Sequence, residues 1–220
     1  MHLHFIVEDQ SGEKLIDIIA KKLCSSSPNN SYYVKGYHGI GGFTQKNTIK
    51  ETHTGKLLND LATVLEGLNK TYSKNPDYPF AVIIVVDNDD RDTDAFRAEM
   101  VAVAEAKNVT IDHVFCIAIE EMEAWLLGDK DAVKSAYPHV KMEVLRSYRQ
   151  DSICGTWEVL ADAIYKGGAK KLKQESYFEI GRMKLEWAQK IGAHMDITKN
   201  ESPSFQYFIS EVQKRFTSAA

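Results

Sequence analysis

Phe80-Ala81-Val82-Ile83-Ile84-Val85-Val86-Asp87-Asn88-Asp89 holds seven consecutive apolar residues, most of them β-branched, that stop abruptly at an acidic turn. An unbroken run of this kind is the signature of a strand covered on both faces, the usual state of a strand inside a parallel sheet. It falls far short of the roughly 20 apolar residues that a bilayer requires. Upstream, Leu57, Leu58, Leu61, Val64, Leu65 and Leu68 recur at helical spacing and predict an amphipathic helix over 55–72. Before it, 32–37 reads as a strand, 12–24 as a helix with Ser11 as its N-cap, and 3–7 as another strand. A break is expected over 24–30, where serine, proline and asparagine cluster. Downstream, a helix is expected over 93–107, capped by Asp90 or Asp92, then a fourth strand near 111–119. Strand and helix thus alternate four times. That order calls for an α/β fold, a parallel sheet of about four strands with helices on both sides.

Past Glu120 the pattern changes. Helices are expected at 122–127, 130–137, 156–166, 175–191 and 204–216, and no strand signal of similar strength recurs. The expected organisation is a core over 1–129 with a helical annex over 130–220 packed on it.

The chain has 220 residues, 44% hydrophobic and 26% charged, enough for one large domain to bury a core without staples. Three cysteines, Cys24, Cys116 and Cys154, are too few and too far apart for a disulfide framework or a zinc knuckle. The first residues lack the basic segment of a signal peptide and meet Glu8 and Asp9 early, so a cytoplasmic protein is expected, with no membrane partner. The net charge of −4 hides an asymmetry: −8 over 1–129 and +4 over 130–220. Such a split suits a metal site beside a phosphate-gripping surface, and solvated faces alone would also produce it.

Ligands of open α/β sheets bind outside the carboxyl ends of the strands. There the first strand delivers Glu8 and Asp9, the third delivers Asp87 and Asp89, and the fourth delivers Glu120, Glu121 and Glu123. So many carboxylates at one edge are costly unless a cation neutralises them. Hard oxygen donors select Mg²⁺ or Mn²⁺, or Ca²⁺, over zinc. One or two of the aspartates have a plainer role at the helix N-terminus, where the dipole favours them. Asp87 and Asp89 share a side only if the strand keeps alternating past Val86. On a helix Glu120 and Glu123 share a face whereas Glu121 and Glu123 do not, which favours Glu123 over Glu121 as a ligand.

The densest basic stretch, Gly167-Gly168-Ala169-Lys170-Lys171-Leu172-Lys173, reads as a loop whose Lys170, Lys171 and Lys173 either clamp phosphates or are simply solvated. Tyr165 and Tyr177 nearby suit base stacking or ordinary packing. Other constellations fall away. Gly55-Lys56 is no P-loop, since Lys50 stands at its first glycine and Leu57 at its Ser/Thr. The glycine cluster around His38 reads as a plain loop before a phosphate cradle. His2 and His4 lack a His or Cys partner at ligand spacing, and Cys116 reads as a small core hydrophobe.

Ile6-Val7-Glu8-Asp9-Gln10-Ser11-Gly12-Glu13 and Val85-Val86-Asp87-Asn88-Asp89 resemble the two hallmarks of the Toprim domain, a glutamate after the first strand and an Asp-x-Asp after the third. Asp9 stands where that pattern has a small residue. The stretch Ile119-Glu120-Glu121-Met122-Glu123-Ala124-Trp125-Leu126-Leu127-Gly128-Asp129 is similar to a Glu-x-Glu-Ala-Trp-Leu-Leu-x-Asp signature of a bacterial Toprim-like family encoded beside ATPases in phage-defence loci. Pro203-Ser204-Phe205-Gln206-Tyr207-Phe208 resembles that family's closing helix start. The resemblance implies a divalent-metal-dependent nuclease related to the overcoming-lysogenization-defect type. Its catalytic residues would be Glu8, Asp87, Asp89 and Glu123, its metal ligands would extend to Glu120 and Glu121, and its partners would be nucleic acid and an SMC- or ABC-like ATPase. The alternative is a non-catalytic Toprim-like module that binds an ATPase or nucleic acid. A primase or topoisomerase is disfavoured by the missing zinc ribbon and strand-passage domains.

Overall fold

The computed structural model describes residues 1–25, 29–42, 55–75 and 77–217. Residues 26–28 of the break expected over 24–30, and Lys50, lie outside them. The chain first alternates: β1 (His2–Val7), α1 (Gln10–Cys24), β2 (Ser31–Gly36), α2 (Leu57–Tyr72), β3 (Phe80–Asp87), α3 (Thr93–Ala106) and β4 (Asp112–Ala118). The four strands form one sheet in the order β2-β1-β3-β4, every pair parallel. The α/β class read from the sequence is the one observed.

Period-two alternation sorts the strand residues between two cores. Phe5, Val7, Ile83 and Val85 face α1, while Ile6, Val82, Ile84 and Val86 face α2 and α3. The run at Phe80–Asp87 is uninterrupted because both of its faces are covered. After β1 the chain moves outward to β2, then crosses to β3 on the other side of β1. The winding therefore reverses between β1 and β3, and a crevice opens at the carboxyl ends of those two strands.

Local chemistry sets the helix starts. The N-cap of α1 is Asp9 rather than Ser11: its carboxylate accepts from the Gly12 N–H at 2.7 Å and from the Ser11 hydroxyl at 2.9 Å. Asp9 reaches the cap because the helix begins two residues earlier than the apolar spacing suggests. Gly12 permits the sharp exit, since a Cβ there would lie 2.6 Å from Val7 Cγ1. Asp92 caps α3 through the Ala95 N–H at 2.8 Å, one of the two expected positions.

The remaining chain is helical: α4 (Glu123–Leu127), α5 (Lys130–Ala136), α6 (Met142–Ser147), α7 (Thr156–Ile164), α8 (Gly168–Leu172), α9 (Tyr177–His194) and α10 (Pro203–Thr217). The lysine stretch expected in a loop lies on α8, with Lys173 as its C-cap. Five residues at α8 and six at α6 are too few to display a helical period. Residues from both parts of the chain share one hydrophobic core. Trp125 of α4 is fully buried, with its ring 5.0 Å from Phe208 and 5.4 Å from Phe205 of α10, and its indole N–H donates to Ser204 Oγ at 2.9 Å. The two late sequence signatures are thus halves of one aromatic joint.

Candidate active site

Glu8 is the first residue past β1 and Asp87 the last of β3, so both stand at the crevice where the winding reverses. One Glu8 carboxylate oxygen accepts the Asp87 backbone N–H at 3.2 Å. Burial pushes the Glu8 carboxyl up to about 7 against the pull of that N–H, with Asp9 and Asp89 adding repulsion. Burial also holds Asp87 well above the usual carboxylate range, and Glu8 and Asp9 reinforce the shift. Asp87 Oδ1 is buried without a hydrogen-bond partner. Buried acceptors nearly always find a partner in a protein interior, so this one is unusual.

The acidic turn does not continue the strand. Asp89 adopts φ 50° and Glu120 φ 62°, both in the left-handed region that non-glycine residues seldom enter. The two strained residues are stitched together: the Asp89 N–H donates to the Glu120 carbonyl at 2.9 Å, and the Glu120 N–H donates to Asn88 Oδ1 at 2.5 Å. Asn88 is completely buried and also donates from Nδ2 to the Arg91 carbonyl at 2.8 Å. The middle residue of Asp-x-Asp is therefore the clamp between β3 and β4. Strand alternation ends at Asp87, so Asp89 reaches the site by its strained turn, where Arg91 pairs with it at 2.8 Å.

Among the three glutamates after β4, Glu120 has a structural partner. Its two oxygens accept the Gly155 N–H at 2.5 Å and the Thr156 N–H at 2.6 Å, closing the start of α7. Glu121 and Glu123, which helical spacing would part, both reach a single cation. What joins them is Lys184 of α9. Its ammonium lies 3.0 Å from Glu121 and 3.2 Å from Glu123, with Glu123 only 2% exposed. Burial opposes the charge on Lys184, but Glu123, Glu121 and Asp87 together hold its pKa well above the ordinary lysine value. Burial pushes the Glu123 carboxyl up to about 7 in spite of the ammonium beside it.

A cleft of about 660 Å³ opens over these groups, and Glu8, Asp87, Asp89, Glu121 and Lys184 line it. Glu123 sits behind Lys184, while Glu120 and Asp89 border a smaller recess of about 230 Å³. Lys173 lies at the edge, 2.9 Å from Glu158 and 5.6 Å from the Trp157 ring centroid, and Lys170 and Lys171 are exposed on α8. A family model described as a domain of unknown function, DUF4276, matches residues 7–213. The chain belongs to the DUF4276 family. No curated protein and no solved structure matches it. The match takes in the strand ends of this DUF4276 chain together with α9, which supplies Lys184.

The donor set suits a hard divalent cation: carboxylate oxygens, one of them buried and unpartnered, at a strand-end crevice. Among the described residues, however, no group of three His, Cys, Asp or Glu side chains is gathered into a preformed metal cage. Sequence reasoning missed Lys184 and Asn88. Nothing separates Lys184 from any lysine on an amphipathic helix until α9 is docked.

Proposed function

We propose that this chain is a divalent-metal-dependent nuclease that cleaves phosphodiester bonds in DNA or RNA, of the Toprim kind that its motifs resemble. The observation that carries the reading is the pair Glu8 and Asp87 at the winding reversal, both lining the cleft, with Asp87 Oδ1 buried and without a hydrogen-bond partner. Mg²⁺ or Mn²⁺ would be held by Asp87 and Glu8, with Asp89 and Glu121 alongside, and would supply charge neutralisation and Lewis-acid polarisation of a phosphodiester.

The chain's own groups have separable tasks. Glu8, whose carboxyl burial raises to about 7, would give up its proton to serve as a ligand when the cation binds beside Asp87. Lys184 stays charged and lines the cleft, where an ammonium stabilises negative charge that develops on a phosphoryl oxygen. Asn88 and the strained turn hold Asp89 at the rim. Glu120 fixes α7 and is not needed as a ligand. The resemblance further supports action as a phage-defence effector beside an SMC- or ABC-like ATPase. Among the described residues no helix is long and apolar enough to cross a membrane.

One observation favours the second reading, a non-catalytic Toprim-like module. Lys184 already supplies a cation to Glu121 and Glu123. Calorimetric titration with Mg²⁺ and Mn²⁺ separates the two: no binding at millimolar metal supports the module. Cleavage of plasmid, single-stranded DNA and structured RNA, with Mg²⁺, Mn²⁺ or EDTA, tests the nuclease. If Glu8→Gln and Asp87→Ala leave a purified activity unchanged, the assignment is wrong.

A further inference from the structure

The mouth of the cleft carries a feature that the carboxylate chemistry does not use. Tyr177 and Phe178 open α9 with 92% and 81% of their surfaces exposed, more than any other large apolar side chain among the described residues. Both line the same cleft as Glu8 and Asp87, and so does Trp157 of α7. Leaving two adjacent aromatic rings in water forfeits burial that such side chains normally obtain.

A second observation concerns Gly181, which lies four residues after Tyr177 and three after Phe178 and therefore shares their face of the helix. Glycine is the poorest helix former apart from proline. A Cβ at Gly181 would meet nothing within 4 Å, so no packing inside the chain calls for its absence. Gly181 also lines the cleft. An interior helix position kept bare beside two exposed rings leaves room for a flat group to lie close against the backbone.

We propose that Tyr177, Phe178 and Trp157 form a ledge on which unpaired nucleobases stack, with Gly181 as the clearance beneath them, so that the substrate is single-stranded nucleic acid or a frayed end. This rests on the nuclease reading and narrows its substrate class. In a duplex the base faces are occupied by their neighbours, whereas an unpaired strand offers them to aromatic rings. The lysines fit the same occupant. Lys170 and Lys171 are exposed on α8, and Lys173 holds its ammonium over Trp157. Lys173 provides backbone attraction beside a ring, and its two exposed neighbours add positive charge to the same short helix, all without sequence readout. A protein docked on the rings would instead plug the carboxylate crevice.

The test measures binding without cleavage. Fluorescence anisotropy with labelled oligo(dT), oligo(rU) and a duplex of equal length, all in EDTA, reads affinity. Tryptophan emission reads place, because Trp125 and Trp187 are fully buried and Trp157 is the remaining tryptophan of three. The expected result is tighter binding of the single strands, quenching of Trp157, and a loss of about tenfold or more in Tyr177→Ala/Phe178→Ala. Both rings are exposed, so that variant should melt like the wild type. Gly181→Ala should melt higher yet bind single strands more weakly, a combination that a merely structural glycine would not give. Equal affinity for duplex and single strand, wild-type affinity in the double variant, or no oligonucleotide binding overturns the proposal. So does a wild-type dimer that the double variant dissociates without any oligonucleotide binding. Stacking that persists in a protein unable to cleave would sink the nuclease reading alone, and cleavage indifferent to the ring variants would sink the ledge alone.

Discussion

Replacing Lys184 with methionine keeps the length and most of the volume of the side chain and removes its charge. In the wild type the ammonium lies 3.0 Å from Glu121 and 3.2 Å from Glu123, and Glu123 is 2% exposed. Removing one partner of a buried pair costs about 3–5 kcal/mol, because the other charge stays behind without water or counter-ion. The cost should depend on pH with a definite sign. Burial has already raised the Glu123 carboxyl from 4.5 to about 7. Stability that comes from its protonated form is therefore complete below about pH 4.5 and lost as pH rises through 7. Without Lys184 the carboxyl moves higher still, and the loss deepens through neutral pH. In acid the Glu123 share of the cost disappears, since that carboxyl is then neutral, and the pair with Glu121 is what remains to be lost. Lys184→Met should accordingly lose about 3–5 kcal/mol at pH 8 and clearly less at pH 4.5. In a chain of this size the loss corresponds to roughly 10 °C in melting temperature. Urea titration of both proteins at the two pH values measures it. A destabilisation of equal size at pH 4.5 and 8 would refute the coupling, because lost packing does not titrate.

Asp87→Asn should raise the melting temperature in EDTA at pH 8, since it relieves a buried carboxylate, while Mg²⁺-dependent cleavage falls by orders of magnitude. Scanning fluorimetry beside a cleavage assay reads both, and a simultaneous loss of stability would deny that the carboxylate is strained. Trp125→Ala should cost about 3–5 kcal/mol by chemical denaturation, because the ring is fully buried against Phe205 and Phe208. Burial lowers His4 from 6.5 to about 4, so its neutral form stabilises the fold above pH 6.5 and that contribution fades as pH falls through 4. His4→Phe should flatten the acid limb of the wild-type stability profile by at most about 3 kcal/mol, less the screening by water. Neutralising Lys170 and Lys171 should reduce the log–log salt slope of nucleic-acid binding by about 0.7–0.9 for each, with Lys173 adding less because Glu158 already pairs with it.

The sheet was legible because its signal is a one-dimensional periodicity. The apolar run before Asp87 and the leucine spacing of α2 survive any tertiary arrangement. Glu8 and Asp87 were legible for a related reason, since the end of a strand fixes where the next side chain stands. What the sequence concealed depends on turns and docking. Glu121 and Glu123 looked incompatible on helical spacing, and the long side chain of Lys184, supplied by a distant helix, is what reaches both. Glu120 read as a ligand because nothing along the chain announces that it closes a helix 35 residues away. Ser11 looked like the cap because apolar spacing starts later than the backbone bonds of α1. Lys184 is an ordinary lysine until α9 lies against α1.

Lys184 also has a place in time. A ribosome delivers the chain from its amino end, and segments settle as they emerge. Glu8, Asp87 and Glu123 all leave the exit tunnel before Lys184, and Phe205 and Phe208 follow last to seal Trp125. A half-synthesised chain thus holds its carboxylates in mutual repulsion, with no internal cation to draw Glu121 and Glu123 together. The crevice is completed from its far end backward, and a chain cut short anywhere before α9 lacks the charge that balances its site.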